Sequence, residues 1–107
     1  MIYISGPITN DPDHMDKFLK AEEFLDGMGK TAFNPTRNVF LFPKMKGKYS
    51  WYLDLSLVEL SWCNEICMLE GWQDSTGAKM EYSFAKIHGY KVYFLKDEKL
   101  LEEEKSV

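Results

Sequence analysis

The sequence contains little of what metal centres, disulfide frameworks and membrane segments require. It has two cysteines and two histidines, and neither histidine lies near Cys63 or Cys67 in the chain, so no zinc-ligand spacing is present. We expect both cysteines to be reduced core residues. No apolar run reaches the roughly 18 to 20 residues that cross a bilayer, and the N-terminus lacks a basic segment followed by a long apolar one. These absences predict a cytoplasmic protein without a metal or other cofactor.

Excess positive charge and the common nucleotide-binding motifs are also missing. The net charge is -4 and the pI is near 5.1, which argues against a nucleic-acid polymer or a membrane as partner, because both attract clustered Lys and Arg. The sequence has no G-x-G-x-x-G and no Walker A motif, so a Rossmann dinucleotide site is excluded and nucleoside triphosphate hydrolysis has no support. One small anion is still compatible with the chain, because a helix N-terminus can hold a single phosphate.

The composition that is present predicts one globular domain spanning residues 1–107. Hydrophobic residues make up 45% of the chain and aromatic residues 15%, enough for a sizeable core at this length. Strand patterns at residues 1–5, 31–33, 65–69 and 91–95 alternate with helical patterns between residues 13 and 29, 50 and 62, and 76 and 88. This alternation predicts an α/β fold with a four- or five-stranded, mainly parallel sheet. We expect the tail from Asp97 to form a short charged helix or to fray.

Two segments of the middle region carry open alternatives. Residues 36–50 lack a clean periodicity and are basic, so we expect a long loop that either screens an anionic ligand or is a solvated flap. The helical pattern between residues 50 and 62 is apolar nearly all round, which predicts a mostly buried helix. Its tryptophans leave open a homodimer or higher homo-oligomer, because aromatic residues are enriched at interfaces.

In parallel sheets, ligands bind beyond the carboxyl ends of the strands. Three such ends are marked here by polar or turn-forming residues, namely Ser5-Gly6-Pro7, Asn34-Pro35 and Gly71-Trp72. A glycine directly after the first strand, such as Gly6, permits close approach of the backbone to a ligand. We therefore expect the functional site at this edge of the sheet.

The loop after the third strand opens a helix with the chemistry of a ligand site. Ser75 or Thr76 can cap this helix, Gly77 lets a ligand approach the backbone, and the free amides favour an anion. Glu81, further along the helix, is either a surface residue or a group aimed at the ligand. In a half-buried setting its carboxylate would suit a nucleophile or base. The Tyr3 phenol either holds that carboxylate or is a core aromatic with its hydroxyl satisfied elsewhere.

These residues resemble a known family. The segment Ile-Tyr-Ile-Ser-Gly-Pro-Ile from position 2, Asn34-Pro35, and Cys63-Asn64-Glu65-Ile66 leading to the Ser75-x-Gly77-Ala78-x-x-Glu81 motif are similar to the nucleoside 2-deoxyribosyltransferase-like superfamily. The similarity runs from residue 2 to about residue 95 and is greatest to the small, often phage-encoded branch. It implies a flavodoxin-like or Rossmann-like three-layer fold and cleavage or transfer at the N-glycosidic bond of a 2′-deoxynucleoside or its 5′-monophosphate.

The resemblance also implies roles for individual residues. Glu81 falls on the nucleophile that attacks the anomeric carbon, and Tyr3 on the tyrosine that positions it. Ser75 falls on the position that meets the 5′-hydroxyl or phosphate, and Gly6 on the one whose backbone meets the ligand. The full set of substrate-binding residues that we expect is Ser5, Gly6, Pro7, Asn34, Trp51, Trp72, Ser75 and Gly77.

One position departs from the family pattern. Active members have an Asp eight residues before the residue that begins the third strand, and counting back from Asn64 gives Ser56. The nearest acid, Asp54, lies two residues earlier, about 200° round a helix. The chain is therefore either a deoxyribosyl-transferring or hydrolysing enzyme or a nucleotide-binding module with weak or no turnover. A purely structural interaction protein, with Ser75 and Glu81 directed away from any cavity, is a third hypothesis.

Overall fold

The computed structural model describes residues 1–45 and 47–104. Its sheet has five strands in the order β2-β1-β3-β4-β5, of which β5 alone runs antiparallel to its neighbour. The strands are β1 Ile2–Ser5, β2 Ala32–Phe33, β3 Glu65–Leu69, β4 Lys91–Lys96 and β5 Lys99–Glu102. The predicted α/β fold with a mainly parallel sheet is confirmed.

Helices cover both faces of the sheet, which gives the expected three layers. The helices are α1 His14–Gly27, α2 Asn38–Leu41, α3 Tyr49–Ser61 and α4 Thr76–Ile87. Helix α1 covers one face through Phe18, Ala21 and Leu25. The other face packs against α3 and α4, which contribute Leu60, Ala78 and Ala85 among others. No helix within the described residues is long and apolar enough to cross a membrane.

The prediction of an irregular loop over residues 36–50 is wrong for most of that segment. It contains two 3₁₀ turns, Pro35–Arg37 and Pro43–Met45, with α2 between them. The Asn34 side chain starts the first turn by accepting a hydrogen bond from the Thr36 amide. These turns are too short to produce a helical periodicity in the sequence. Lys46 lies outside the described residues.

The tail prediction is also wrong, because residues 99–102 form β5 rather than a helix. A two-residue turn at Asp97 and Glu98 joins β4 to β5, and both residues have positive φ, at 51° and 59°. Such turns match the twist of a hairpin, but their usual sequence signal is Asn-Gly or Asp-Gly. An Asp-Glu pair hides that signal. Residues 105–107 are outside the described residues.

Helix α3 is less buried than its composition predicts. Only Ser56, Glu59 and Leu60 are buried, whereas Val58 is 50% and Trp62, which follows the helix, 67% exposed. The helix packs on one side only, and because apolar residues occur all round it, the pattern does not reveal which side faces inward. The inward side carries two polar residues, and this is what brings α3 into the functional site.

Candidate active site

A cavity of about 130 Å³ lies beyond the carboxyl end of β1, between the starts of α3 and α4. Its wall comes from five parts of the chain: the end of β1 with the loop that follows, the start of α1, the segment around α2, α3, and the start of α4. The lining residues are Tyr3, Gly6, Ile8, Thr9, His14, Pro35, Thr36, Asn38, Val39, Tyr49, Tyr52, Leu53, Ser56, Ser75, Gly77, Ala78 and Glu81.

Glu81 is held by two hydroxyl groups from β1. The Tyr3 hydroxyl donates to Oε2, and the Ser5 hydroxyl donates to Oε1 at 2.7 Å. Tyr3 and Ser5 lie on the same face of β1 because side chains two residues apart point the same way in a strand. Glu81 is only 7% exposed, so β1 fixes both carboxylate oxygens at the cavity wall. The hypothesis that the Tyr3 phenol holds this carboxylate is confirmed.

Burial sets the electrostatics of this group. It raises the pKa of the Glu81 carboxyl above its ordinary value of 4.5, and the hydrogen bonds from Tyr3 and Ser5 partly offset the rise. Burial also raises the pKa of the Tyr3 hydroxyl well above 10, with the adjacent Glu81 charge adding to the effect. Tyr3 is therefore a permanent proton donor in this pair, and Glu81 is the member that titrates.

The start of α4 forms another part of the wall. Ser75 has an extended backbone, and its Oγ accepts a hydrogen bond from the Ala78 amide at 3.2 Å. Of the two predicted caps, Ser75 is thus the one that acts. At Gly77 an added Cβ would lie 2.7 Å from the Tyr49 hydroxyl. The missing side chain therefore makes room for a tyrosine of α3, which draws the two helix starts together at the cavity.

The sequence profile of a family described as "Domain of unknown function (DUF4406)" matches residues 1–94. The chain belongs to this family. No curated protein sequence matches this DUF4406 chain. A solved structure of a 2-deoxyribosyltransferase from the psychrotolerant bacterium Bacillus psychrosaccharolyticus is similar to it, with a TM-score of 0.68 and 23% identity over 87% of this chain and 69% of that one. At this identity the similarity establishes the flavodoxin-like fold.

The structure brings together six of the ten predicted site residues of the DUF4406 chain. Five of them line the cavity, namely Tyr3, Gly6, Ser75, Gly77 and Glu81. The sixth, Ser5, does not line it but donates a hydrogen bond to Glu81. Gly6 has a packing reason as well, because an added Cβ would lie 2.9 Å from Leu69 Cβ. A side chain at this position would push β1 and β3 apart where the site is built.

The other four predicted residues have different contacts. Pro7 borders a separate depression on the α1 side, and Asn34 bonds to Thr36 and Glu22. Trp51 packs edge-on against Phe42, and Trp72 stacks near Tyr82 and Phe94. The expectation that these four bind substrate has no support in the geometry of the cavity. These four residues are close in sequence to residues that line the cavity, but their side chains make the other contacts just described.

Ser56 lies on α3 at the position where the resemblance implies an Asp. It lines the cavity, and its hydroxyl donates to the Leu53 carbonyl at 2.8 Å. Asp54 is exposed to solvent on the same helix. Among the described lining residues, Glu81 is therefore the only carboxylate, and a serine stands where a second one is expected.

Sequence reasoning did not name Thr36, Asn38 and Val39, or the two tyrosines Tyr49 and Tyr52, as site residues. A signal was present, because Asn34-Pro35 marks the end of β2 at the same edge of the sheet. The residues after it could have been included in the site on that basis. Their inward orientation depends on the 3₁₀ turn and α2, which have no periodicity of their own.

A second, larger depression of about 690 Å³ lies against α1. Its acidic residues Glu23, Glu70 and Glu98 are all exposed to solvent. In the part of the chain that the structure describes, no three His, Cys, Asp or Glu side chains come together to hold a metal ion. The smaller cavity, with its buried and hydrogen-bonded carboxylate, is the candidate active site.

Proposed function

We propose that the protein cleaves, or transfers at, the N-glycosidic bond of a 2′-deoxynucleoside or its 5′-monophosphate, with Glu81 as nucleophile. The observation that carries the proposal is the buried Glu81 carboxylate at the cavity wall, held at one oxygen by Tyr3 and at the other by Ser5. Two fixed donors orient the carboxylate without protonating it. A preorganised, partly desolvated carboxylate is a group suited to covalent catalysis at an anomeric carbon.

The proposed reaction has two steps. A lone pair of a Glu81 oxygen forms a bond to C1′ while the C1′–N bond breaks, and the base leaves with that electron pair and takes up a proton from water. A water molecule then attacks C1′, loses a proton to solvent and restores the carboxylate. In a transferase a second base attacks instead of water. The Tyr3 and Ser5 hydroxyls keep the carboxylate oriented through both steps.

The start of α4 supports recognition of the 5′ end of the sugar. Ser75 lies six residues before Glu81, about 9 Å along the helix axis, which suits the span between C1′ and a 5′ substituent. Its Oγ accepts from Ala78, so its own hydroxyl hydrogen is free to donate to a 5′-oxygen. The positive end of the α4 dipole adds to the attraction for a phosphate.

The leaving base receives less help than the nucleophile. Ser56 is a far weaker acid than the Asp expected there, and the loss of a general acid lowers rates by about 100- to 10,000-fold. We therefore expect slow turnover, fastest for bases that leave readily. The serine at position 56 also favours a second candidate function, which is nucleotide binding or sensing without turnover.

The cavity also requires some opening before a nucleotide enters. Its volume of about 130 Å³ is below the roughly 300 to 1,000 Å³ of typical ligand sites. The Tyr52 hydroxyl donates to the Phe42 carbonyl at 2.8 Å and ties the segment after α2 to α3. We expect this segment to move outward when substrate binds.

Release of free base from a panel of deoxynucleosides and their 5′-monophosphates tests the proposal, with Glu81→Gln as the matched variant. We expect the wild type to release base and the variant to be at least about 1,000-fold slower, because an amide is not a nucleophile at C1′. Equal release by both proteins would remove Glu81 from the mechanism. Thermal stabilisation by nucleotides with no base release would favour the sensing function, and no effect of any nucleotide would count against both.

Three further expectations stay predictions: the phage-encoded branch, the cytoplasmic location and the homo-oligomeric state. The exposed apolar residues Val58 and Trp62 on and just after α3 are compatible with self-association. Sedimentation of the purified protein over a concentration series tests it, and a monomer at all concentrations would contradict it.

A further inference from the structure

Helix α3 carries a second buried carboxylate that the proposed chemistry does not use. Glu59 is 5% exposed and lies one helical turn beyond Ser56, on the same side of α3. Its Oε1 accepts a hydrogen bond from Asn38 Nδ2 at 2.6 Å. Glu59 does not line the cavity, whereas Asn38 does. The Glu59 carboxylate therefore has no direct contact with the cavity, and it can affect a ligand only by orienting the side-chain amide of Asn38.

Three groups of Asn38, namely its backbone amide, its backbone carbonyl and its side-chain nitrogen, form hydrogen bonds within the protein. Its backbone amide donates to the Pro35 carbonyl, and its carbonyl accepts from the Phe42 amide at 2.8 Å. The side chain is 4% exposed, and Oδ1 has no hydrogen-bond partner among the described residues. Asn38 also lines the cavity. Its Oδ1 is therefore the polar atom of this residue that is available to a ligand there.

Glu59 also decides which way the amide faces. An ionised carboxylate only accepts hydrogen bonds, so the NH₂ end of Asn38 must turn to Glu59 and the oxygen end away from it. A short, charge-assisted hydrogen bond between two buried groups holds this orientation more firmly than a neutral bond would. The cavity is thereby given an acceptor at a fixed position.

The location of Asn38 matches the base rather than the sugar or the phosphate. On the proposed function, C1′ lies at Glu81 and the 5′ end at Ser75, so the base extends to the remaining wall of the cavity. That wall includes Asn38, Val39 and Tyr52. Two of these offer apolar or aromatic surface to a ring, and Asn38 offers the polar contact.

We infer that Asn38 is a specificity-determining residue that selects bases with an exocyclic amino group, and that Glu59 is the positioning residue that fixes its amide. The inference rests on the proposed function for the direction in which the base lies. An amino group donates to Oδ1, whereas a keto oxygen at the same place meets another acceptor and leaves both unpaired. Asn is a frequent partner of the adenine amino edge for this reason.

Matched base pairs test this directly, because adenine and hypoxanthine differ at one such position, as do cytosine and uracil. The measurement is base release from the four 2′-deoxynucleoside 5′-monophosphates, together with their binding to the Glu81→Gln protein by calorimetry. We expect the wild type to prefer the amino member of the better-accepted pair by about 10- to 100-fold in kcat/KM. Asn38→Leu should reduce that preference to less than about threefold.

Glu59→Gln is the sharper variant, because it keeps the size of the side chain and a hydrogen bond to Asn38. A glutamine either accepts from Nδ2 or donates to Oδ1, so Asn38 regains both orientations. We expect the amino-to-keto ratio to fall while the melting temperature stays within a few degrees. Asp54→Asn, exposed on the same helix, is the matched control and should leave the ratio unchanged. A purely structural role for Glu59 would alter stability and leave the ratio intact.

The outcomes separate this inference from the proposed function. Base release without an amino preference in the wild type, or a preference that survives both Asn38→Leu and Glu59→Gln, overturns the inference and leaves the function standing. An amino preference in binding without any base release supports the inference and contradicts the enzyme. Failure to bind or cleave any of the four nucleotides overturns the inference, and the wider panel of deoxynucleosides and 5′-monophosphates then decides the proposed function separately.

Discussion

Ile2 and Ile4 point from β1 toward α1, whereas Tyr3 and Ser5 of the same strand point toward α4. On the α1 face the buried side chains near β1 are apolar, with Phe18 and Leu25 among them. On the α4 face the hydroxyls of Tyr3 and Ser5 meet the Glu81 carboxylate at the wall of a cavity. One strand of four residues thus supports the fold with one side and the candidate chemistry with the other.

The difference shows how a small domain can keep a buried carboxylate. Burying a charge is unfavourable unless hydrogen bonds compensate, and here the compensation comes from hydroxyls on a central strand whose opposite face is firmly packed. Packing on the apolar face holds β1 in place, and β1 in turn holds the Tyr3 and Ser5 hydroxyls in place. Substitutions on the apolar face should therefore reduce stability more than activity, and substitutions on the polar face should reduce activity more than stability.

Truncation on the apolar face should have the largest effect on stability. Leu25→Ala removes a fully buried side chain, so we expect a loss of about 2 to 5 kcal/mol in unfolding free energy. Activity per folded molecule should be unchanged at low temperature, because Leu25 packs on the face of the sheet opposite Glu81. Urea unfolding with a parallel activity assay measures both. A selective loss of activity in the folded variant would break the proposed division between the faces.

Removal of one donor on the polar face should have the reverse effect. Tyr3→Phe deletes a hydrogen bond to a buried carboxylate, and we expect kcat to fall about 10- to 100-fold with little change in overall shape. Since that hydrogen bond lowers the pKa of Glu81, the acid limb of the pH-rate profile should also move to higher pH. An unchanged acid limb would argue that another group controls the low-pH side of the profile.

Glu81→Gln should stabilise the protein while it abolishes activity. Burial raises the Glu81 pKa in the folded state, so the native protein holds that proton more tightly than the unfolded chain does. The stability this gives is complete below the unfolded-state pKa and is lost as pH rises through the folded-state value. The amide does not titrate, so the variant should gain about 1 to 2 kcal/mol at pH 7 and less near pH 4. Thermal unfolding across this range tests it, and a gain independent of pH would contradict it.

The smallest effect should come from the helix cap. Ser75→Ala removes the acceptor for the Ala78 amide, so we expect a loss of about 1 kcal/mol and a higher KM for 5′-monophosphates. Thr76→Ala is the matched control, because Thr76 is exposed and should change stability by less than about 0.5 kcal/mol. Similar effects of the two substitutions would remove the assignment of Ser75 to the 5′ end.

Much of this arrangement follows from local patterns. The strand and helix periods predict the parallel sheet, and the edge rule together with the family resemblance leads to Tyr3, Ser75 and Glu81. What stays hidden depends on contacts between distant parts of the chain. The orientation of Asn38 and Glu59 depends on the hydrogen bond between them, which joins α2 to α3, and neither residue belongs to a recognisable motif.

The wrong prediction for the tail has a local cause. The β4–β5 hairpin turns through Asp97 and Glu98, residues that rarely adopt positive φ together, so no turn signal marks it. Trp51 and Trp72, which we expected to bind substrate, do not line the cavity, and their rings pack against other aromatic side chains. Their contact with substrate stays a prediction.

The central claim is that Glu81 forms a covalent bond to the sugar. In a 2′-fluoro-2′-deoxynucleoside 5′-monophosphate the fluorine destabilises an oxocarbenium-like transition state, so both formation and hydrolysis of the glycosyl-enzyme are slow. A base that leaves readily restores the rate of formation only, and the glycosyl-enzyme accumulates. Mass spectrometry of the digested protein should then find the mass of the fluorinated sugar phosphate on the peptide that contains Glu81, and none in the Glu81→Gln protein. Base release by the wild type with no adduct on that peptide, or with an adduct at another residue, would contradict the account.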